Sequence, residues 1–217
     1  MSTFRESVRR HVPFSTAIYE DVDRRRRMRA SRKLLPTLAQ RRPLRLDIGG
    51  GYRKGANGWI TVDISHECDL YWDLREGIPF ADSTVDAIYS SHLFEHLTYE
   101  QGQALMKDCL RALTPGGTFS IVVPNARMYI EHYLGQRELP AEYFGWTPAY
   151  NNTTRIDAIN YVAYMAGEHT YMFDQENLLC VLEQAGFAEV RARAFDPETD
   201  MAERDYESIY AIGCKPA

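Results

Sequence analysis

The feature that most constrains this chain is a short apolar strand, Leu44 to Ile48, that runs straight into Gly49-Gly50-Gly51. Three glycines in a row take every Cβ out of the turn, so the backbone can bend sharply and a ligand can approach it closely. Asp47 stands just ahead, where a carboxylate can order the loop or attract an ammonium group. Alone, this is also how an ordinary glycine turn looks. The pattern downstream decides between the two.

A strand-and-helix alternation follows. Trp59 to Ile64 is a second strand, rich in β-branched residues. A third runs from Cys68 to Trp72, and Val85 to Ser90 is the fourth. Thr98 then opens a helix, with Gln101 three positions on completing a capping box. Leu105, Met106, Cys109, Leu110 and Leu113 repeat along it at the spacing of one apolar face. Pro115-Gly116-Gly117 ends that helix, and Thr118 to Val123 is a fifth strand. Asp174 caps a later helix that stops at Gly186, and two strands near 187–195 and 206–214 close the chain. The expected fold is α/β: a Rossmann-like, doubly wound, mainly parallel seven-stranded sheet with helices on both faces. Residues 1–43 read as a helical cap and 44–217 as one domain, with 125–170 as an aromatic insertion.

Length and composition agree. A chain of 217 residues holds one such domain and is too short for two. With 45% apolar residues it belongs among globular proteins. No apolar run approaches the ~18 residues of a membrane span, and none follows the basic N-terminus, so neither membrane insertion nor secretion is expected. A cytoplasmic protein is. A net charge of −5 argues against a general nucleic-acid surface. The run Arg24-Arg25-Arg26-Arg27-Met28-Arg29 reads first as a solvated helix face, with an anionic-partner contact as the alternative. Cys68, Cys109, Cys180 and Cys214 form no metal-type or redox pair, so buried free thiols and no metal are expected.

In a doubly wound sheet, ligands sit beyond the carboxyl ends of the strands. Asp63 closes the second strand, 16 residues after Asp47, where a carboxylate can accept from both ribose hydroxyls. Asp73 follows the third strand, placed to accept from an exocyclic adenine amine while a neighbouring backbone N–H donates to the ring. Each acid alone is a common turn residue. Three in register point to a nucleoside pocket.

The segments LDIGGG (46–51), WITVDI (59–64), DLREGIPFADSTVDAIYSSHLFEHL (73–97) and LRALTPGGTFSIVVPN (110–125) together resemble the core of class I S-adenosylmethionine (SAM) methyltransferases, the methyltransferase type 11 group in particular. The resemblance implies SAM as cofactor. It assigns Asp47, Gly49, Gly50 and Gly51 to the methionine end, Asp63 and Ile64 to the ribose side, Asp73 and Leu74 to adenine, and adds Ser91. Two departures stand out. Arg53 replaces the usual third glycine of the loop, and only seven residues separate Gly51 from Trp59, too few for the helix that normally joins the first two strands.

Methyl transfer to a hydroxyl gains from a base near its proton, a role suited to histidine. His92, just after the fourth strand, and His169, just before the Asp174 helix, are the candidates, each with a structural hydrogen bond as the alternative. Glu95 and His96 read as structural, tying their turn to the sheet. The aromatic segment 125–170 suggests an acceptor-side lid, its rings stacking on a small molecule or glycan precursor. Packing of an irregular insert, or a homodimer contact, is the alternative. The expected activity is O-methylation; a SAM-binding regulatory protein and a nicotinamide oxidoreductase are the rivals. Asn152-Thr153-Thr154 has a glycosylation pattern, discounted without a secretory signal.

Overall fold

A computed structural model describes residues 13–51, 54–149, 151 and 153–217. Residues 1–12 of the expected cap, Arg53 of the glycine loop, and Asn152 of the glycosylation pattern lie outside them. Seven strands form one sheet in the order β3-β2-β1-β4-β5-β7-β6. They are β1 (Arg45–Ile48), β2 (Trp59–Asp63), β3 (Leu70–Tyr71), β4 (Val85–Ser91), β5 (Leu113–Pro124), β6 (Ala188–Ala192) and β7 (Ser208–Cys214). The first five pair in parallel, and β7 is antiparallel to both β5 and β6. This is the Rossmann-like class expected from the alternation.

Among the described residues five α-helices accompany the sheet: α1 (Pro13–Leu38), α2 (Tyr99–Ala112), α3 (Ala126–Tyr133), α4 (Ile156–Tyr164) and α5 (Gln175–Ala185). The capping box forms as read: the Thr98 hydroxyl accepts from Gln101 N–H at 3.3 Å, and the Gln101 side chain accepts from Thr98 N–H at 3.0 Å. Asp174 caps α5 through Asn177 N–H, and Gly186 ends it in the left-handed conformation at φ 103°. Helical cover is unequal on the two faces. Leu105, Met106 and Cys109 of α2 and Leu178, Val181 and Leu182 of α5 join Leu46, Ile48, Ile60, Val62 and Phe119 in the main core. The opposite parity, Tyr89, Val122 and Tyr210, packs with Trp59 and Phe195 into a small aromatic layer.

Some boundaries move. The Pro115-Gly116-Gly117 turn lies inside β5 as an irregularity, with Gly116 at φ 75° and the register against β4 shifting between Val85 and Ala87. Lys215 holds it there, its carbonyl accepting from Gly116 N–H and its own N–H donating to the Gly117 carbonyl, each at 2.9 Å. β3 shrinks to two residues. No described residue between β1 and β2 is helical, in keeping with the short Gly51–Trp59 spacing. Of the four cysteines only Cys109 is fully buried, and Cys180 is exposed, which corrects the expectation of buried thiols throughout.

Of the expected cap, Leu35 and Leu38 of α1 lie against the main core, and Arg27 and Arg32 stack over Tyr71 and Trp72. Within the arginine run, Arg25 pairs with Asp21, Arg27 with Asp23, and Arg24 with Glu76. Those pairs favour the solvated-face reading. No helix among the described residues is long and apolar enough to cross a membrane.

Candidate active site

Parallel register brings the carboxyl ends of the strands to one edge. Ile48 lies beside Val62 and Ser90, and Asp63 beside Tyr71. Gly49, Asp63, Asp73 and Ser91 therefore meet at the end of the sheet. Two bonds fix the arrangement: Gly49 N–H donates to the Val62 carbonyl and Trp72 N–H to the Asp63 carbonyl, each at 2.9 Å.

The glycine turn needs its glycines. Gly49 (φ 73°) and Gly51 (φ 68°) are in the region that other residues avoid. A Cβ on Gly50 would sit 2.5 Å from Thr61 Cγ2 and 2.8 Å from Asp47 Oδ2. Beyond Gly51 the space is open, with no atom within 4 Å of an added Cβ. Asp63 holds the turn: one oxygen accepts from Gly51 N–H at 3.0 Å and the other from Ser65 N–H at 2.7 Å. The Ser65 hydroxyl returns a bond to the Gly51 carbonyl. A carboxylate offers about four acceptor positions, so about two remain for a diol. Ile64 stands next to it, 55% exposed, an apolar surface at the mouth.

Asp73 follows β3, and its carboxylate is already engaged. Arg75 donates to it from Nε at 2.9 Å, from Nη2 at 2.7 Å and from its backbone N–H at 3.1 Å. The Arg75 side-chain bonds hold the Asp73 carboxyl below its ordinary range against the upward push of burial. An adenine amine would have to share Oδ2 or displace Arg75, a competitor sequence reading did not foresee. Leu74 is buried in the main core, which leaves only its backbone for a ligand.

The turn after β4 carries the histidines. His92 sits at φ 51°, and burial drives its ring down to about 3, so it is neutral. Its Nε2 lies 2.9 Å from Ser208 Oγ, whose hydroxyl donates to the Arg204 carbonyl at 2.6 Å. Nε2 must then carry the proton, and Nδ1 faces Glu95 Oε1 at 3.4 Å. With both nitrogens turned to protein groups, His92 has the surroundings of its structural alternative.

His169 differs. Its Nδ1–H donates to the Val162 carbonyl at 2.8 Å, which leaves the Nε2 lone pair bare. Burial lowers its pKa and keeps the ring neutral. His96 repeats the pattern, with Nδ1–H on the Glu168 carbonyl at 2.9 Å. Glu95, expected as a tie to the sheet, makes its tie through its backbone and to a different segment: its carbonyl accepts from Thr170 N–H at 2.8 Å and Tyr171 N–H at 3.2 Å. Its carboxyl is buried, which raises its pKa to about 8.

These groups border a cavity of about 320 Å³, also lined by Tyr129, Trp146, Tyr161, Arg204 and Glu207. The aromatic insertion supplies one wall from its own small core of Tyr129, Phe144, Tyr161 and Val162, while Trp146 and Tyr164 stay exposed. Glu207 was not anticipated. It is anchored by the Tyr129 hydroxyl at 2.8 Å, and burial raises its pKa.

A mainly parallel sheet with a glycine turn and two acids at the ends of β1, β2 and β3 has the Rossmann-like arrangement. Residues 61–121 match the family described as a methyltransferase domain (Methyltransf_11). A probable S-adenosylmethionine-dependent methyltransferase of Mycolicibacterium smegmatis is 30% identical over 125 residues, 56% of this chain and 42% of that protein. The chain thus matches less than half the length of this relative. Solved structures of similar shape include a SAM-dependent methyltransferase from Archaeoglobus fulgidus, 18% identical, covering 87% of this chain and 94% of that one with a TM-score of 0.49. Another is phosphoethanolamine N-methyltransferase 2 of Haemonchus contortus in complex with SAM, 14% identical, covering 80% and 48% with a TM-score of 0.48.

Proposed function

We propose that this chain transfers a methyl group from SAM to a hydroxyl of a small molecule or glycan precursor. The observation that carries this reading is the pairing of two features along one sheet edge. A glycine turn stapled by Asp63 stands on one side, and a cavity fringed by bare imidazole lone pairs on the other.

On this reading Asp47 and the glycine turn take the methionine end, Asp63 and Ile64 the ribose, Asp73 and the Leu74 backbone the adenine, with Ser91 closing the floor. The bound cofactor supplies an electrophilic methyl on a sulfonium. The protein's work is to align an acceptor with that methyl and to exclude water. Tyr129, Trp146 and Tyr161 offer ring faces for a sugar or aromatic acceptor. As the new C–O bond forms and the sulfonium C–S bond breaks to leave a thioether, the hydroxyl proton would pass to a neutral imidazole; His169 lines the cavity, and with Nδ1–H given to the Val162 carbonyl its lone pair is on Nε2. General-base help of this kind contributes roughly 10²–10⁴-fold.

The test is transfer from methyl-labelled SAM across a panel of hydroxyl and amine acceptors, with His169→Asn alongside. Label on hydroxyls, with kcat lowered at least about tenfold by the substitution, supports the reading. Label on amines alone overturns the oxygen assignment. Tight SAM binding with no transfer would favour the regulatory alternative.

A further inference from the structure

We infer that Glu95, His96 and His169 form a binding site for one divalent transition-metal cation, open toward the acceptor cavity. Their ligand atoms lie within 4.8 Å of one another, with Glu95 Oε1 at 3.9 Å from His96 Nε2. The two imidazole rings meet edge to face, 5.0 Å apart.

Orientation is the first argument. Each ring gives its Nδ1–H to a backbone carbonyl, Glu168 for His96 and Val162 for His169. That choice fixes the tautomer and leaves the lone pair on Nε2, which is how backbone carbonyls prepare metal-bound imidazoles.

The second argument is independent of the first. Glu95 is 2% exposed, and neither carboxyl oxygen is hydrogen-bonded among the described residues, the nearest polar atom being His92 Nδ1 at 3.4 Å from Oε1. Leaving a buried polar group unpartnered costs about 1–3 kcal/mol, and more for a charged one. A cation among these three groups removes that cost, because it gives the carboxylate its missing partner. The site is also held in place. The Glu95 carbonyl receives both Thr170 and Tyr171 N–H, so the turn carrying Glu95 and His96 is fastened to the segment carrying His169.

Ligand chemistry selects the metal. Two imidazoles and one carboxylate suit Zn²⁺, Co²⁺ or Fe²⁺, whereas Mg²⁺ and Ca²⁺ prefer oxygen ligands. Across a tetrahedral zinc with ~2.1 Å bonds, ligand atoms stand roughly 3.4 Å apart, so the trio must close by about 1 Å. His96, with its side chain 39% exposed, is the ligand able to turn inward. Three protein ligands leave a position facing the cavity for water or an acceptor oxygen. An acceptor hydroxyl bound there becomes more acidic, and His169 then serves as ligand instead of base. The site goes beyond the methyl-transfer reading and is read without turnover, so either can fail alone.

The experiment uses the full chain, free of any affinity tag and stripped with a chelator. Zn²⁺ is titrated by calorimetry and Co²⁺ by its visible absorption. Expected are one ion per chain, a Kd at or below about 10 μM, and a weakening of at least about tenfold in both His96→Ala and His169→Ala. His66→Ala, at an exposed histidine, should match the wild type. His96→Ala removes a half-exposed side chain, so it tests the site even if His169→Ala fails to fold. No saturable binding, or binding within about threefold of wild type in His96→Ala, would overturn the site.

Discussion

Replacing Asp63 with alanine should separate cofactor binding from folding. Its carboxylate accepts from Gly51 N–H at 3.0 Å and Ser65 N–H at 2.7 Å, and the proposed ribose contacts use the remaining acceptor positions. Hydrogen bonds to a charged group contribute about 1.5–3 kcal/mol each, and the half-buried setting favours the lower figure. Losing two to the ribose therefore costs about 3 kcal/mol, or roughly 150-fold in Kd. The two loop N–H groups can rehydrate, so the fold itself should lose only about 1–2 kcal/mol and Tm should fall by roughly 2–8 °C. Calorimetric titration with S-adenosylhomocysteine gives the first number and thermal unfolding the second. Asp63→Asn keeps one acceptor oxygen and should fall between alanine and wild type. A Kd within about threefold of wild type in a folded Asp63→Ala protein would refute the placement of the ribose.

Two further outcomes bear on the scaffold. Gly50→Ala drives a methyl into Thr61 Cγ2, a buried atom that cannot withdraw, so a loss of about 1–3 kcal/mol and a lower Tm are expected. An unchanged Tm would show that the turn is not confined as described. Asp108 accepts from Ile78 N–H and from Arg111 Nε at 2.6 Å; burial pushes its pKa up, but these partners hold it below the ordinary value. A depressed folded pKa stabilises above the unfolded value near ~4 and loses that contribution as pH falls through the folded one. Urea unfolding should accordingly find Asp108→Asn less stable than wild type by about 1–2 kcal/mol at neutral pH. The gap should close in acid, and one independent of pH would contradict the assignment.

The scaffold was legible wherever its signals are local. The Thr98–Gln101 box, the Asp174 cap and the Gly186 stop each depend on residues within one helical turn, and all three form as read. The turn around Gly116 was misplaced because its partner, Lys215, is remote in sequence. The Asp73–Arg75 clamp spans two positions, yet no spacing rule says which way an arginine side chain will point. Cysteine spacing argued against a metal, and the Glu95, His96 and His169 cluster was invisible to it because it contains no cysteine and His169 lies 73 residues beyond His96. Such a site exists only once the Thr170 and Tyr171 amides have found the Glu95 carbonyl.

That carbonyl belongs to a turn with a second neighbour. Leu93, two residues earlier, lies against Gly49, close enough that an added Cβ there would come within 2.7 Å of it. One short stretch of chain thus touches the glycine turn through Leu93 and lines the cavity through Glu95.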